Sequence, residues 1–495
     1  MTREKNRFLY SPFVIVLWGV LTFLAFAFSK ELLFYGFVVA YALCVIAFCE
    51  DLSPIMPLFL LCYVTPSVSN NPGMSEDGLF YGTTGAIILG FAAIVIIALV
   101  IRITRDKNIG WKKFFTMPRM LLGGILALGA VYLLSGIGSK NYFAEAPSNF
   151  VFASIQFASV FLLYFLFSAT VDWKKFDVSY FAWSGLVAGL VVVAEVAWIY
   201  LTQDIWLSGA VNRDLIFSGW GTNNNMGAMI TTALPFAFYL AQKRKHNSIY
   251  LILALILSVG VVFSCSRGSV VVAVPVAIIS YIYAFVKTKN KREYAITSAL
   301  LVVALVIAAT LFWGRAVIVF ERVPAILDHA DGGLVFNHSG RFEIYKQGFE
   351  IFSKHPILGD GFYFDGYDIG SFSIVDRFSN FFPPRMHNTI IQMLASCGIV
   401  GLLAYMFHRG QTIWVLVKRW SAENAYLSLY LFSLLGMSML DCHFFNVGPT
   451  LFYSMALAVA EFGQNRRRWC ISIDRILRVW YNKPKTSNYK RRIGK

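Results

Sequence analysis

The sequence predicts an all-α, polytopic integral membrane protein of about 14 transmembrane helices, carrying one large, partly helical extracytoplasmic loop. Three observations carry that expectation: the composition, the spacing of the apolar runs, and the placement of Lys and Arg between them. Of 495 residues, 57% are hydrophobic and 14% charged. Soluble domains carry roughly 25% charged residues, so this chain belongs in lipid. Its 45 Phe and 12 Trp suit lipid-facing and interfacial surfaces.

Apolar runs fall at about 12–28, 31–49, 52–66, 79–101, 119–138, 148–170, 178–201, 226–241, 248–264, 268–286, 294–313, 387–407, 424–440 and 444–462. An untilted span needs roughly 20 apolar residues, so the edges of the shorter runs are soft. The first run has a basic front and an Ala25-Phe26-Ala27 triplet, the marks of a signal peptide. A second run follows almost at once after Ser29-Lys30, which favours an uncleaved signal anchor. The third run holds Pro54 and Pro57 and suits a re-entrant segment as well as a span.

The connections sort by charge. Arg3/Lys5/Arg7, Arg102/Arg105/Lys107/Lys112/Lys113, Lys174/Lys175, Lys243/Arg244/Lys245, Lys287/Lys289/Lys291/Arg292 and Lys418/Arg419 all fall on one side of a fourteen-span chain. The connections between them are poor in Lys and Arg. That is the positive-inside bias, and it places both termini in the cytoplasm. The chain divides accordingly into helices 1–11 (1–313), an extracytoplasmic loop (314–386), helices 12–14 (387–462) and a basic cytoplasmic tail (463–495). The net charge of +16 could suggest nucleic acid. However, eleven Lys/Arg against one acid in 463–495 follow directly on an apolar run, which reads as an anchor to anionic lipid headgroups and not a nucleic-acid surface. The seven cysteines show no zinc spacing. Cys265 and Cys442 both lie near the expected outer face, where they could pair, though nothing in the sequence requires it.

Three outer connections have unusual chemistry. Residues 314–386 carry seven Lys/Arg and nine Asp/Glu, a net of −2. Within them Ser339-Gly340 can start a helix on which Phe342, Tyr345, Phe349 and Phe352 recur on one face, until Pro356 and Gly359 end it. Connection 202–225 holds Asn212-Arg213-Asp214 and Gly219-Trp220-Gly221-Thr222-Asn223-Asn224-Asn225. The third is the tight turn Ser264-Cys265-Ser266-Arg267-Gly268. After the long loop, Arg385-Met386-His387-Asn388 stands at the mouth of an apolar helix, with Gly398 and Gly401 further on.

The order of these phrases resembles the O-antigen ligase and O-antigen polymerase superfamily of bacterial membrane glycosyltransferases. The shared marks are an Arg-to-Gly-to-Asn phrase before a span, a Ser-Arg-Gly turn, Gly340-Arg341 followed by an aromatic, His355-Pro356-Ile357-Leu358-Gly359-Asp360-Gly361, and His387 with its trailing glycines. The resemblance covers roughly 205–405. It implies a multi-pass protein of the bacterial cytoplasmic (inner) membrane that takes a glycan from an undecaprenyl-pyrophosphate-linked donor to a glycan or lipid-linked acceptor, in O-antigen, capsule or exopolysaccharide synthesis. Polymerase and ligase subfamilies share these marks. A transporter or flippase of polyanionic or lipid-linked glycans is the alternative, although no repeat relates the two halves as a transporter would favour.

Each candidate residue has a plain reading beside the chemical one. His387 is either an interfacial helix-start histidine or the general base for an acceptor hydroxyl. A helix N-terminus favours neutral imidazole, the form a base needs. Arg267 is either a snorkelling flank or a pyrophosphate ligand, and its place on the side poor in cations favours the latter. Arg213 is a surface pair with Asp214 or a substrate contact. Arg341 opens a helix whose dipole it opposes, which hints at another purpose. Arg385 is a headgroup or substrate contact. Asn225 and Asn388 either cap helices or bind sugar hydroxyls and phosphate. The resemblance assigns His387 and Arg267 to catalysis, with Arg213, Arg341, Arg385, Asn225 and Asn388 at the substrate. Asp360, Asp365 and Asp368 read as a solvated acidic turn, and with no nucleotide phosphate loop either, no metal and no cofactor are expected.

Overall fold

The computed structural model describes residues 8–61, 82–105, 115–137, 139, 146–203, 206–207, 210–211, 215–218, 221–311, 327–330, 333–336, 341–361, 386–445 and 447–463. Among these, fifteen α-helices run in chain order: α1 Pro12–Ala27, α2 Glu31–Phe48, α3 Met56–Leu61, α4 Gly82–Arg105, α5 Leu122–Leu134, α6 Ala146–Thr170, α7 Val178–Thr202, α8 Asn223–Lys243, α9 Asn247–Phe263, α10 Arg267–Lys287, α11 Lys291–Leu311, α12 Arg341–Lys354, α13 Thr389–Lys418, α14 Ala422–Ser438 and α15 Val447–Phe462. Strand structure among the described residues is confined to three small antiparallel hairpins between helices. The all-helical class therefore stands. Among the described residues, four helices, Ala153–Thr170 within α6, α7, α10 and α13, are long and apolar enough to cross a membrane, and four shorter apolar helices accompany them.

Boundaries follow local chemistry. Asp177 caps α7 by accepting the Ser179 N–H at 2.9 Å, Ser421 caps α14 by accepting that of Asn424, and Ser266 caps α10. In α13 the expected end near Phe407 gives way to a helix that continues to Lys418, so the basic pair Lys418/Arg419 marks the helix end itself. Where the third apolar run was expected, a 3-10 turn, Ser53–Ile55, holds Pro54 and leads into α3, described over Met56–Leu61. Cys265 and Cys442 do not form a disulfide with each other.

The core centres on α8, where every residue from Asn225 to Ala241 is buried. A helix covered on all sides is the interior element of a bundle. It packs against α7, α9, α10 and α14, while α5, α6, α13 and α15 form a second group beside it. In lipid the hydrophobic effect does little to join helices, so close approach at small residues must do so. Gly189 of α7 faces Ala233 of α8, Gly260 of α9 faces Val193, and Gly185 faces Phe236, leaving no room for a methyl group. Outward, the bundle is oily: Val274, Ile278 and Ile282 of α10, Leu300, Val303 and Val306 of α11, and Leu403, Phe407 and Trp414 of α13 are all exposed. Unpartnered apolar belts of this extent fit a bilayer and not water.

Polar groups at one end tie helix ends together. Arg102 donates to the carbonyls of Ile46 and Cys49, Lys243 lies 3.1 Å from Asp177, and Lys175 bridges Glu50 and Asp172. Burial alone would raise the Asp177 carboxyl, but the Ser179 N–H and the Lys243 ammonium outweigh it and hold it below its ordinary value. Nearby, buried Glu461 accepts from the Met120 N–H and, at 2.6 Å, from the Tyr164 hydroxyl. Many of the basic clusters named above gather at this end. The functional candidates gather elsewhere.

Candidate functional site

The site is built where α13 begins. Asn388 caps that helix: its Oδ1 accepts the N–H of Ile390 at 2.9 Å and of Ile391 at 3.2 Å. Its Nδ2 donates to the Met439 carbonyl at 3.2 Å. Both ends of the amide are thus engaged within the protein, so Asn388 acts as cap and strut. Directly before it, His387 takes φ 50°, a left-handed conformation that a side-chain-bearing residue adopts under constraint and often at functional positions. Tyr345 of α12 donates to the His387 carbonyl at 3.4 Å. His387 Nδ1 lies 3.6 Å from Asp441 Oδ1, with the carboxylate buried and 34% of the His387 side chain exposed. Asp441 Oδ1 also accepts the Cys442 N–H at 2.7 Å. The buried carboxylate faces Nδ1 without a hydrogen bond, an electrostatic neighbour on that side of the ring.

The trailing glycines have a structural reason. Gly398 has φ 64° and ψ −163°, which breaks α13 into two helical parts. A break strips carbonyl and N–H groups of their helical partners, and buried groups of that kind must find others. The phrase from His355 to Gly361 supplies them. The Asp360 N–H donates to Ala395 O at 2.9 Å and the Gly361 N–H to Ser396 O at 3.0 Å. Returning, the Ile399 N–H donates to Pro356 O at 2.9 Å and the Val400 N–H to Ile357 O at 3.2 Å. Gly136, beyond α5, donates to Leu358 O at 3.0 Å. The segment is inserted into the helix break as a strand is inserted into a sheet edge. A Cβ at Gly398 would collide with the Ile357 carbonyl, and one at Gly359 with the Ser396 backbone. Asp360 is therefore no solvated turn acid. It is 5% exposed and 3.4 Å from His355, because the docked backbone carries it inward.

Arg267 is the first residue of α10, just after Cys265 at φ 55°. The cap Ser266 donates to Asn224 Oδ1 at 3.0 Å and accepts from the Ser269 N–H and hydroxyl. The starts of α8 and α10 are thereby stitched together. Asn225, one residue on, is 4% exposed, with Oδ1 buried and lacking a hydrogen-bond partner among the described residues. Beside Arg267, the space over Gly268 is filled by Leu440, whose Cδ1 would stand 2.9 Å from a methyl there.

Three consecutive residues therefore join the two halves. Met439 holds Asn388, Leu440 covers Gly268, and Asp441 backs His387. The structure brings His387, Arg267, Asn225 and Asn388 to one end of the bundle through this turn. Arg341 starts α12, which packs on α13, and its side chain lies outside the described residues. Arg213, Arg385, Asp365 and Asp368 lie outside them entirely. Sequence reading missed Asp441: it sits in a three-residue connection between apolar runs, and nothing local marks it as the partner of a residue 54 positions earlier. Among the described residues no three His, Cys, Asp or Glu side chains converge as metal ligands would.

A histidine facing a buried carboxylate, joined through residues 439–441 to the start of the helix that Arg267 opens, suits proton abstraction next to an anionic group. No curated protein matches the sequence. Residues 252–406 match the family model described as O-antigen ligase, a stretch that holds Arg267, Arg341, the docked 355–361 phrase, His387 and Gly398. Over those residues, about a third of the chain, the protein is similar to the O-antigen ligase family, in line with the resemblance read from the sequence.

Proposed function

We infer that this protein is a membrane glycosyltransferase of the ligase or polymerase type, moving a glycan from undecaprenyl pyrophosphate to an acceptor hydroxyl at the outer face of the inner membrane. The observation that carries this reading is the 439–441 turn, which draws the His387–Asp441 pair and the start of the Arg267 helix together. In the reaction the acceptor oxygen attacks the anomeric carbon. The bond from that carbon to the pyrophosphate oxygen breaks, and its electron pair leaves with the pyrophosphate. His387 Nε2 takes the hydroxyl proton, and Asp441 steadies the resulting imidazolium. Arg267, with Arg213, Arg341 and Arg385, stabilises the departing pyrophosphate, because guanidinium forks match phosphate oxygens in pairs. Preorganised positive charge where negative charge develops is usually the largest catalytic contribution, and here it replaces a metal. A fourteen-span topology with cytoplasmic termini would put this end of the bundle outside.

Arg267→Lys is expected to lower transfer by about 10²-fold although the charge is kept, since an ammonium cannot form the paired contact. Initial rates on the carrier-linked glycan measure this, and wild-type rates in the Lys variant would reassign Arg267 to a headgroup contact. Asp441→Asn is expected to lower kcat by about 10²-fold with KM little changed, as for a residue that orients a base. The function as a whole is tested by glycan analysis of a strain lacking the protein. Short unpolymerised units on the carrier lipid indicate a polymerase, and finished polymer held on the carrier indicates a ligase. Unaltered surface glycan would refute both.

A further inference from the structure

Beyond the family-matched stretch, α13 carries a cation that the reaction described above does not use. Arg409 is half-buried as a residue, yet its Nε and Nη2 are buried and make no hydrogen bond among the described residues. No carboxylate pairs with it there either. Its guanidinium carbon instead sits 3.6 Å from the centre of the Phe444 ring and 4.8 Å from the centres of both the Tyr405 and Tyr453 rings. A cation in the apolar part of a bundle is costly, so one held without a counter-ion calls for a purpose. Ring faces offset part of that cost.

The nearest of those rings identifies the purpose. Phe444 belongs to the buried 3-10 turn His443–Phe445, which begins two residues after Asp441. Three residues of chain, at most about 11 Å, separate Asp441 from Phe444. Gln156 of α6 fixes the backbone of the turn, donating to the Phe444 carbonyl at 2.6 Å. The ring meets Tyr405 and Tyr453 edge-on, with centroids 5.8 and 5.2 Å away, and its face is covered by Arg409. We propose that Arg409 is a positioning residue: by stacking on Phe444 it holds the turn at the depth that keeps Asp441 against His387. The inference rests on the reading of His387 as the base. A flat guanidinium can stack on one ring while lying between two others, which neither an aliphatic side chain nor an ammonium does equally well.

The test uses the purified full-length protein and carrier-linked glycan extracted from cells lacking it. Arg409→Met and Phe444→Leu are each measured alone and in an Asp441→Asn background. Each is expected to lower kcat about tenfold, the size of a coupling between residues that act through one another, with KM changed by less than about twofold. Arg409→Lys should recover part of the lost kcat, since a cation remains over the rings. In the Asp441→Asn background the further loss should shrink to less than about twofold, because the route ends at Asp441. Wild-type kcat in both single variants would overturn the proposal. So would additive losses in the Asp441→Asn background, a rise in KM at constant kcat, or an Asp441→Asn variant that matches wild type. Should Arg409→Met fail to fold, Phe444→Leu completes the same cycle. A His387→Ala arm separates the two readings: if it stays active, the base assignment falls, and if it is inactive while the Arg409 and Phe444 variants are normal, only this inference falls.

Discussion

Replacing His387 with Ala is expected to abolish glycan transfer while leaving the protein inserted and folded. A positioned general base contributes about 10² to 10⁴ in rate. The fold should tolerate the change. The side chain is 34% exposed, and the cap that starts α13 belongs to Asn388, not to His387. Relief of the φ 50° backbone would be modest, since Ala is no better suited to that conformation. Complementation of a deletion strain, with a membrane-abundance check, measures the effect. Full activity would move the base to His355, which has its own buried carboxylate in Asp360 at 3.4 Å.

Gly398→Ala is expected to be the most disruptive single methyl in the described structure. At φ 64° and ψ −163° the residue occupies a region almost reserved for glycine, at a cost of about 1–3 kcal/mol for any other residue. The added carbon would also strike the Ile357 carbonyl and crowd the Gly359 N–H. The docked phrase must then retreat, leaving the Ala395 and Ser396 carbonyls short of donors, with a further penalty of about 1 kcal/mol or more for each. A total near 4 kcal/mol should appear as a marked fall in thermal midpoint in detergent, together with new protease cleavage near Gly359. An unchanged midpoint would mean that the break in α13 is not what the docked phrase stabilises.

The all-helical class was legible because lipid imposes it: apolar length and charge placement are nearly the whole constraint. The helix within 314–386 was legible too, expected from Ser339-Gly340 to Pro356 and found at Arg341–Lys354. His387 and Arg267 could be singled out because each is a charged or titratable residue where plain helix ends need none. Asn388 was assigned to substrate, whereas its amide is taken up by the cap and Met439. That distinction depends on a partner 51 residues away and leaves no local trace. Asp441 and Arg409 escaped for the same reason. A lone acid in a short connection and a lone cation within an apolar run acquire meaning only when folding sets them against His387 and Phe444. Gly398 serves a helix break into which another segment is inserted, a long-range fact that spacing cannot express.

The central claim is that fixed cations and one oriented imidazole move a glycan from a lipid pyrophosphate to a hydroxyl without metal or nucleotide. It is tested most directly by incubating the purified protein with carrier-linked glycan and acceptor in EDTA, and counting the undecaprenyl pyrophosphate released against the glycosidic bonds formed. The expected result is one released per bond formed in the wild type, and neither product with His387→Ala. Activity lost on chelation and restored by a divalent ion would contradict the claim. So would movement of the intact lipid-linked glycan across vesicles with no pyrophosphate released.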